Sequence, residues 1–114
     1  MTLSRFLQQL QHQPQSVDFV TTMSVIDATY TFKSTSFHNG DLHNNAGTNE
    51  GSCKIFAFAQ LHSLSEAQTL ACFGHYYRDD VLLHPQATDH GNIRNFMKTG
   101  WSGIRFEHSA LSAK

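Results

Sequence analysis

One segment, Cys53 to Leu61, constrains the fold of this sequence more than any other. Drawn as a helix, it is apolar on nearly every side. Its apolar residues include Ile55, Phe56, Phe58, Ala59 and Leu61. A helix without a polar face must be covered by other elements, so we expect it at the centre of a core, with Ser52 as its N-cap. The 114 residues are enough for one domain, 1–114, to build that core.

The N-terminal residues predict two amphipathic helices in a hairpin. From Thr2, a suitable N-cap, to Gln11, apolar residues recur at helical spacing, and Pro14 closes this first helix. A second helix is expected to start at Ser16. Its apolar stripe consists of Phe19, Met23, Ile26 and Tyr30.

Two further helices are expected in the C-terminal half. Ser63 and Glu66 fit a capping box, which opens a helix that runs to His84 and should be the longest element. Pro85 ends it. Thr88 or Asp89 is expected to cap a shorter helix that stops at Gly100.

The remaining segments predict a small sheet. Residues 32–38 and 104–106 have strand character and are expected to pair. Between residues 37 and 51, an Asn-Gly turn signal predicts a long ordered loop or a hairpin, whereas residues 110–114 are expected to be loose. The resulting fold class is α+β, a single compact domain that is mostly helical, with about five helices and a two- or three-stranded antiparallel sheet.

Charge and hydropathy argue against two classes of partner. Eight Lys plus Arg oppose nine Asp plus Glu, and this net charge of -1 provides no basic field for nucleic acid or anionic lipid. The apolar runs are far shorter than the ~20 residues that span a bilayer, and the N-terminus lacks the apolar region of a signal peptide. We therefore expect no nucleic-acid or membrane partner, and a cytoplasmic location outside the general secretory route.

The segment from Gly47 to Lys54 is the strongest candidate for chemistry, because glycines and polar residues there precede a predicted helix start. The helix dipole, with Lys54, would lower the pKa of the Cys53 thiol, which suggests a Cys-dependent hydrolase or transferase. His90 is the partner chosen for that thiol, with His43 and His75 as alternatives. In the competing interpretation, Cys53 is a small buried apolar residue, as Cys72 is expected to be.

The same region also fits a binding role without catalysis. The residues assigned to this predicted binding loop and to the polar helix starts around it are Asn45, Gly47, Asn49, Gly51, Ser52, Lys54, Arg78, Asn92 and Arg94. Helix N-termini and cationic side chains favour an anionic group. A non-catalytic domain of this kind would bind a protein or another ligand.

Weak metal-ligand candidates lie on the predicted long helix. His75 and Asp79 are four residues apart, and so are Asp80 and His84, so each pair shares a helix face. The two pairs point about 100° apart, and the alternative is ion pairing on the helix surface. We therefore predict no metal site and no other cofactor, and a His/Asp metal-binding domain is the second alternative to the binding role. If several of the eight histidines are buried and neutral, stability should fall below pH ~6.5.

Five strings of the sequence together point to a family. They are 37–40 (FHNG), 45–56 (NAGTNEGSCKIF), 76–81 (YYRDDV), 89–97 (DHGNIRNFM) and 100–106 (GWSGIRF). With these strings, the chain resembles the HopJ type III effector family of bacteria over nearly its whole length. The resemblance implies a small bacterial protein, made in the cytoplasm and delivered to a host cell through a type III secretion system. The alternative is a protein that stays in the bacterial cytoplasm, because residues 2–11 predict an amphipathic helix and not the loosely structured start of an exported effector. The partner is an unknown protein, which is a host protein if the chain is delivered, and the resemblance implies no catalytic residues.

Overall fold

The apolar helix lies at the centre of the fold, as its sequence predicts. A computed structural model describes residues 1–114, and in it this helix, α3, spans Glu50–Leu61. Its buried residues are Cys53, Ile55, Phe56, Ala57, Phe58 and Ala59. Leu61, at the end of the helix, is 55% exposed. The helix begins three residues before the predicted start, so Ser52 lies inside its first turn instead of capping it.

The predicted N-terminal helical hairpin is confirmed. Helix α1 spans Leu3–His12 with Thr2 as its N-cap, and α2 spans Phe19–Thr29. Asp18 is the N-cap of α2, because Ser16 belongs to a short 3-10 turn, Pro14–Ser16, that joins the two helices. Phe6 and Ile26 are fully buried, so both helices contribute to the core around α3.

The prediction of one long helix from Ser63 to His84 is wrong. Helix α4 spans only Glu66–Ala71, and its capping box is formed by Ser65 and Gln68. The chain turns at Gly74, whose φ of +60° lies in the left-handed region. A Cβ atom at residue 74 would lie 2.7 Å from the backbone nitrogen of Phe19, so the close approach of α2 requires glycine there. A π-helical segment, Tyr76–Val81, follows.

Helix α5 spans Gly91–Thr99 and ends at Gly100, as predicted. Its N-cap residue is His90 and not Thr88 or Asp89, because Asp89 accepts a hydrogen bond from the side chain of Arg94 instead. A 3-10 turn, Gly100–Gly103, then leads into the last two strands.

Two small antiparallel sheets complete the α+β fold. The five strands are β1 (Tyr30–Phe32), β2 (Phe37–Asn39), β3 (Leu42–Asn44), β4 (Ile104–Phe106) and β5 (Leu111–Ala113). The three-stranded sheet has the order β3-β2-β4, and the predicted hairpin is confirmed. Of the predicted strand 32–38, only residues 37–38 pair with 105–106, because Phe32 belongs to β1 and pairs with β5. The prediction that residues 110–114 are loose is wrong, because residues 111–113 form β5, which pairs with β1. None of the helices combines the length and apolar character needed to cross a bilayer.

Candidate functional site

Two helix starts meet at one cleft of about 550 Å³. The starts of α3 and α5 supply its polar lining, which consists of Asn49, Gly51, Ser52, His90, Gly91 and Asn92. Its apolar lining consists of Phe19, Leu42, Phe73, Tyr76 and Ile93. A concave site with an apolar wall and a few convergent polar groups is the usual form of a small-molecule site.

The two residues that open these helices share an uncommon backbone conformation. Asn49 has φ +51° and His90 has φ +53°, both in the left-handed region, and neither side chain caps its own helix. The first N–H groups of α3 and α5 therefore have no side-chain acceptor and stay available for another partner. Residues held in this region tend to cluster at functional sites, because the surrounding structure must hold them there.

A network of asparagine side chains joins the two helix starts. Asn44 and Asn92 bond each other through both amide groups, with N···O distances of 2.9 and 3.1 Å. The Asn49 amide donates to Asn44 Oδ1 at 2.8 Å, and the Asn39 amide donates to the carbonyl and side chain of Asn92. Asn39, Asn44 and Asn92 are buried. The hairpin β2–β3 thus sets the position of both helix starts.

The π-helical segment brings two side chains to His90. His90 Nε2 donates to Asp80 Oδ2 at 3.0 Å, and the rings of His90 and Tyr76 lie with their centroids 5.2 Å apart. Tyr76 also packs edge-on against Phe19, at 5.1 Å between centroids. Such π-helical turns frequently occur at functional sites, and this one supplies both the aromatic wall of the cleft and the carboxylate that orients His90.

The structure argues against Cys53 as a nucleophile. The Cys53 N–H is already bonded to Asn49 O at 3.0 Å, and its side chain, 2% exposed, points to the Thr35 carbonyl. Burial raises the pKa of the Cys53 thiol to about 11, so the thiol is protonated at neutral pH. Cys53 does not line the cleft that His90 lines. The suggested Cys53–His90 pair therefore has no geometric support.

The cationic side chains assigned to the binding loop turn away from the cleft. Lys54 forms an ion pair with Asp27 at 2.9 Å and lies over the Phe32 ring. Arg78 donates to the Val17 carbonyl at 2.7 Å, and Arg94 pairs with Asp89 at 2.7 Å. None of the three side chains lines the cleft, and Lys54 lies beyond the first turn of α3, which begins earlier than expected.

The other residues of the predicted binding loop fall into two groups. Asn49, Gly51, Ser52 and Asn92 line the cleft, whereas Asn45 and Gly47 lie on an exposed loop before α3. Sequence reasoning missed Asn39, Asn44 and Tyr76. The Asn39-Gly40 pair gave only a turn signal, and no local pattern indicates that the two asparagine amides are buried.

The four weak metal candidates do not form a site. The π-helical backbone changes the spacing on which the two predicted pairs depended. The His75 ring packs on Tyr76 at 4.3 Å, Asp80 bonds His90, and Asp79 and His84 are exposed. No three His, Cys, Asp or Glu side chains lie close enough together to hold a metal ion.

Comparisons with known proteins place the chain in a family. A solved structure described as "Crystal structure of unknown function protein VPA0580" matches with a TM-score of 0.98 and 56% sequence identity, over 100% of this chain and 95% of that chain. No curated protein matches. The family model described as HopJ type III effector protein matches residues 3–111. The chain therefore belongs to the HopJ type III effector family.

Proposed function

We propose that this HopJ-family domain binds a small molecule in the cleft between the starts of α3 and α5. The ligand has an apolar body and one anionic group of the size of a carboxylate. The observation that carries the proposal is the convergence of two open helix starts on one cleft that also has an apolar wall.

The polar side of the cleft supports the anionic group. Each helix start presents free backbone N–H groups and the positive end of a helix dipole, and two such starts act on the same volume. The Ser52 hydroxyl is a further donor in the lining. A carboxylate accepts several hydrogen bonds at once and suits this arrangement.

The charges around the cleft favour a single negative charge over a phosphate dianion. No Lys or Arg lines the cleft, and its only basic side chain, His90, already faces the Asp80 carboxylate. Phosphate sites in proteins commonly add Lys or Arg to the backbone donors, because two charges need more compensation. The apolar wall, in turn, suits a ligand with a hydrocarbon or aromatic body.

The test is an NMR titration of the protein with phenylacetate and with phenylacetamide, which has the same body without the charge. Phenylacetate is expected to shift the backbone amides of Gly51, Ser52, Gly91 and Asn92. Phenylacetamide should bind at least about tenfold more weakly, a difference of ~1.4 kcal/mol. Equal binding of the two probes would refute the anionic group, and no shift at these amides with either would refute the site.

Gly91→Ala gives a matched variant for this titration. A Cβ atom at residue 91 would lie 3.6 Å from Leu42 Cδ2, an ordinary contact, so the variant should fold while its cleft is narrower. We expect weaker phenylacetate binding by Gly91→Ala. Ser112→Ala, an exposed position on β5 outside the cleft, should bind as the unchanged protein does.

The family also supports a proposal about where the domain acts. We propose export from the bacterial cytoplasm through a type III system, with a host protein as the eventual partner. A reporter fused after residue 114 should enter host cells from a secretion-competent strain and not from a strain that lacks the secretion ATPase. Phe6 and Leu10 of α1 are core residues, so export that starts at the N-terminus would require α1 to leave the core.

A further inference from the structure

The hairpin β2–β3 holds two histidines opposite each other. His38 pairs with His43 in the antiparallel register, one step from the two-residue turn at Gly40 and Asp41. On the other side of β2, Gly40 N bonds Gly103 O and Ser36 O accepts from Glu107 N. The backbone groups of His38 therefore point toward β4, and the His38–His43 pair is of the non-hydrogen-bonded kind, in which side chains lie closest.

The two imidazole rings lie on the same face of the sheet and close together. Their centroids are 4.6 Å apart, with an angle of 41° between the ring planes, and both residues are exposed. Both rings contact each other and solvent, and neither forms an ion pair. The two side chains thus have free nitrogen atoms, and the pairing of β2 with β3 holds the two backbone positions that carry them opposite each other.

We propose that His38 and His43 form a two-histidine site for a divalent transition metal ion, with water in the remaining coordination positions. Imidazole nitrogen favours Cu²⁺, Ni²⁺ and Zn²⁺ over Mg²⁺ and Ca²⁺, and the affinity should be highest for Cu²⁺. Two ligands on adjacent rigid strands lose little conformational freedom on binding, so the pair binds more tightly than either histidine alone.

Neighbouring charge limits the affinity of this site. Arg105 of β4 lies opposite His38 on its other side, and its guanidinium opposes a second cation nearby. Asp41, in the turn, accepts a hydrogen bond from Asn95 at 3.0 Å. The site therefore offers two nitrogen ligands and open positions, which fits an exchangeable ion better than a structural one.

The test is a Cu²⁺ titration of untagged protein, followed by electron paramagnetic resonance and calorimetry. We expect one Cu²⁺ ion per chain at this site, with hyperfine structure from two nitrogen ligands. His38→Gln and His43→Gln should each lower the affinity at least about tenfold, ~1.4 kcal/mol, and the double variant no more than slightly further. Both positions are exposed, so the variants should keep the fold.

Exposed histidines elsewhere provide the matched controls. His12→Gln and His84→Gln remove the same side chain at exposed positions outside the hairpin and should leave the Cu²⁺ affinity of the two-histidine site unchanged. If His38→Gln binds Cu²⁺ as well as the unchanged protein, or if the controls lose as much affinity as the hairpin variants, the proposal is overturned.

Discussion

The helices of this domain begin in two different ways. Helices α1, α2 and α4 begin at Thr2, Asp18 and Ser65, whose side chains each accept a hydrogen bond from an N–H of the first turn. Helices α3 and α5 begin at Asn49 and His90, which make no such bond. At the three capped starts, the N-cap side chain bonds an N–H group of its own helix. The two open starts keep these N–H groups free and lie together at the cleft.

The side chains at the open starts bond other elements instead of their own helix. Asn49 bonds Asn44 of β3, and His90 bonds Asp80 of the π-helical segment. Each open start thus exchanges a cap within its own helix for a contact with the preceding element. A helix start can therefore be fixed in space without using its N–H groups, which then stay free to bind a ligand.

The largest effect is expected for Asn92→Ala, which breaks the asparagine network. Asn44 would lose both of its bonds to the Asn92 side chain while it stays buried, whereas the Asn39 amide would keep the Asn92 backbone carbonyl as an acceptor. A buried group that is left unpaired costs about 1–3 kcal/mol, so we expect a loss of about 2 kcal/mol in the free energy of unfolding. Chemical denaturation measures it. Asn45→Ala, at an exposed position, should change stability by less than about 0.5 kcal/mol, and equal losses in the two variants would refute the network's role.

An intermediate effect is expected for a capped start. Asp18→Ala removes the bond from Thr21 N at 2.7 Å and should cost about 1 kcal/mol at neutral pH. Ser52→Ala, at an open start, removes no cap and should cost less than about 0.5 kcal/mol. Similar losses for the two variants would abolish the distinction between capped and open starts.

The cap at Asp18 should also depend on pH. The hydrogen bond from Thr21 N–H lowers the pKa of Asp18 below its ordinary value of 3.8. The stabilisation is therefore present above pH ~3.8 and is lost as the pH falls through the lowered pKa. In denaturation series at decreasing pH, the difference between Asp18→Ala and the unchanged protein should shrink only in that acidic range.

The smallest effect is expected at His62, which follows α3 and belongs to neither kind of start. Burial lowers the pKa of His62 below its ordinary value of 6.5, and His62 Nε2 shares a hydrogen bond with the Tyr30 hydroxyl at 2.6 Å. The neutral His62 stabilises the fold above pH 6.5, and this stabilisation is lost as the pH falls through the lowered pKa. Between pH 7.5 and 5.5, the free energy of unfolding should fall by less than about 1 kcal/mol on this account. His62→Gln should flatten the melting temperature over that range. If the melting temperature of His62→Gln changes with pH as much as that of the unchanged protein, the pH dependence comes from other groups.

Local patterns in the sequence predict the parts of the fold that depend on neighbours in the chain. The apolar run of α3, the cap at Thr2 and the Asn39-Gly40 turn are of this kind, and all three are present. The predicted long helix failed because its break at Gly74 is imposed by the start of α2, far away in the sequence. No local pattern could reveal that contact.

The candidate site was predicted only in part, for the same reason. Asn49, Ser52 and His90 stand at helix starts, which sequence analysis can locate approximately. That α3 and α5 begin at the same cleft depends on Asn44 and Asn92, which are 48 residues apart, and pairing of buried amides has no periodic signature. The direction of the Lys54 side chain depends on Asp27, another distant residue.

The pairing of β1 with β5 has a consequence for how the domain forms during synthesis. Tyr30 pairs with Ala113, so this strand pair closes a loop of most of the chain, and contacts of such long separation form slowly and late. On the ribosome, β1 must wait with unpaired edges until residues 111–113 emerge. During that interval the nascent chain presents an open strand to chaperones, and a stop before residue 111 would leave that strand exposed permanently.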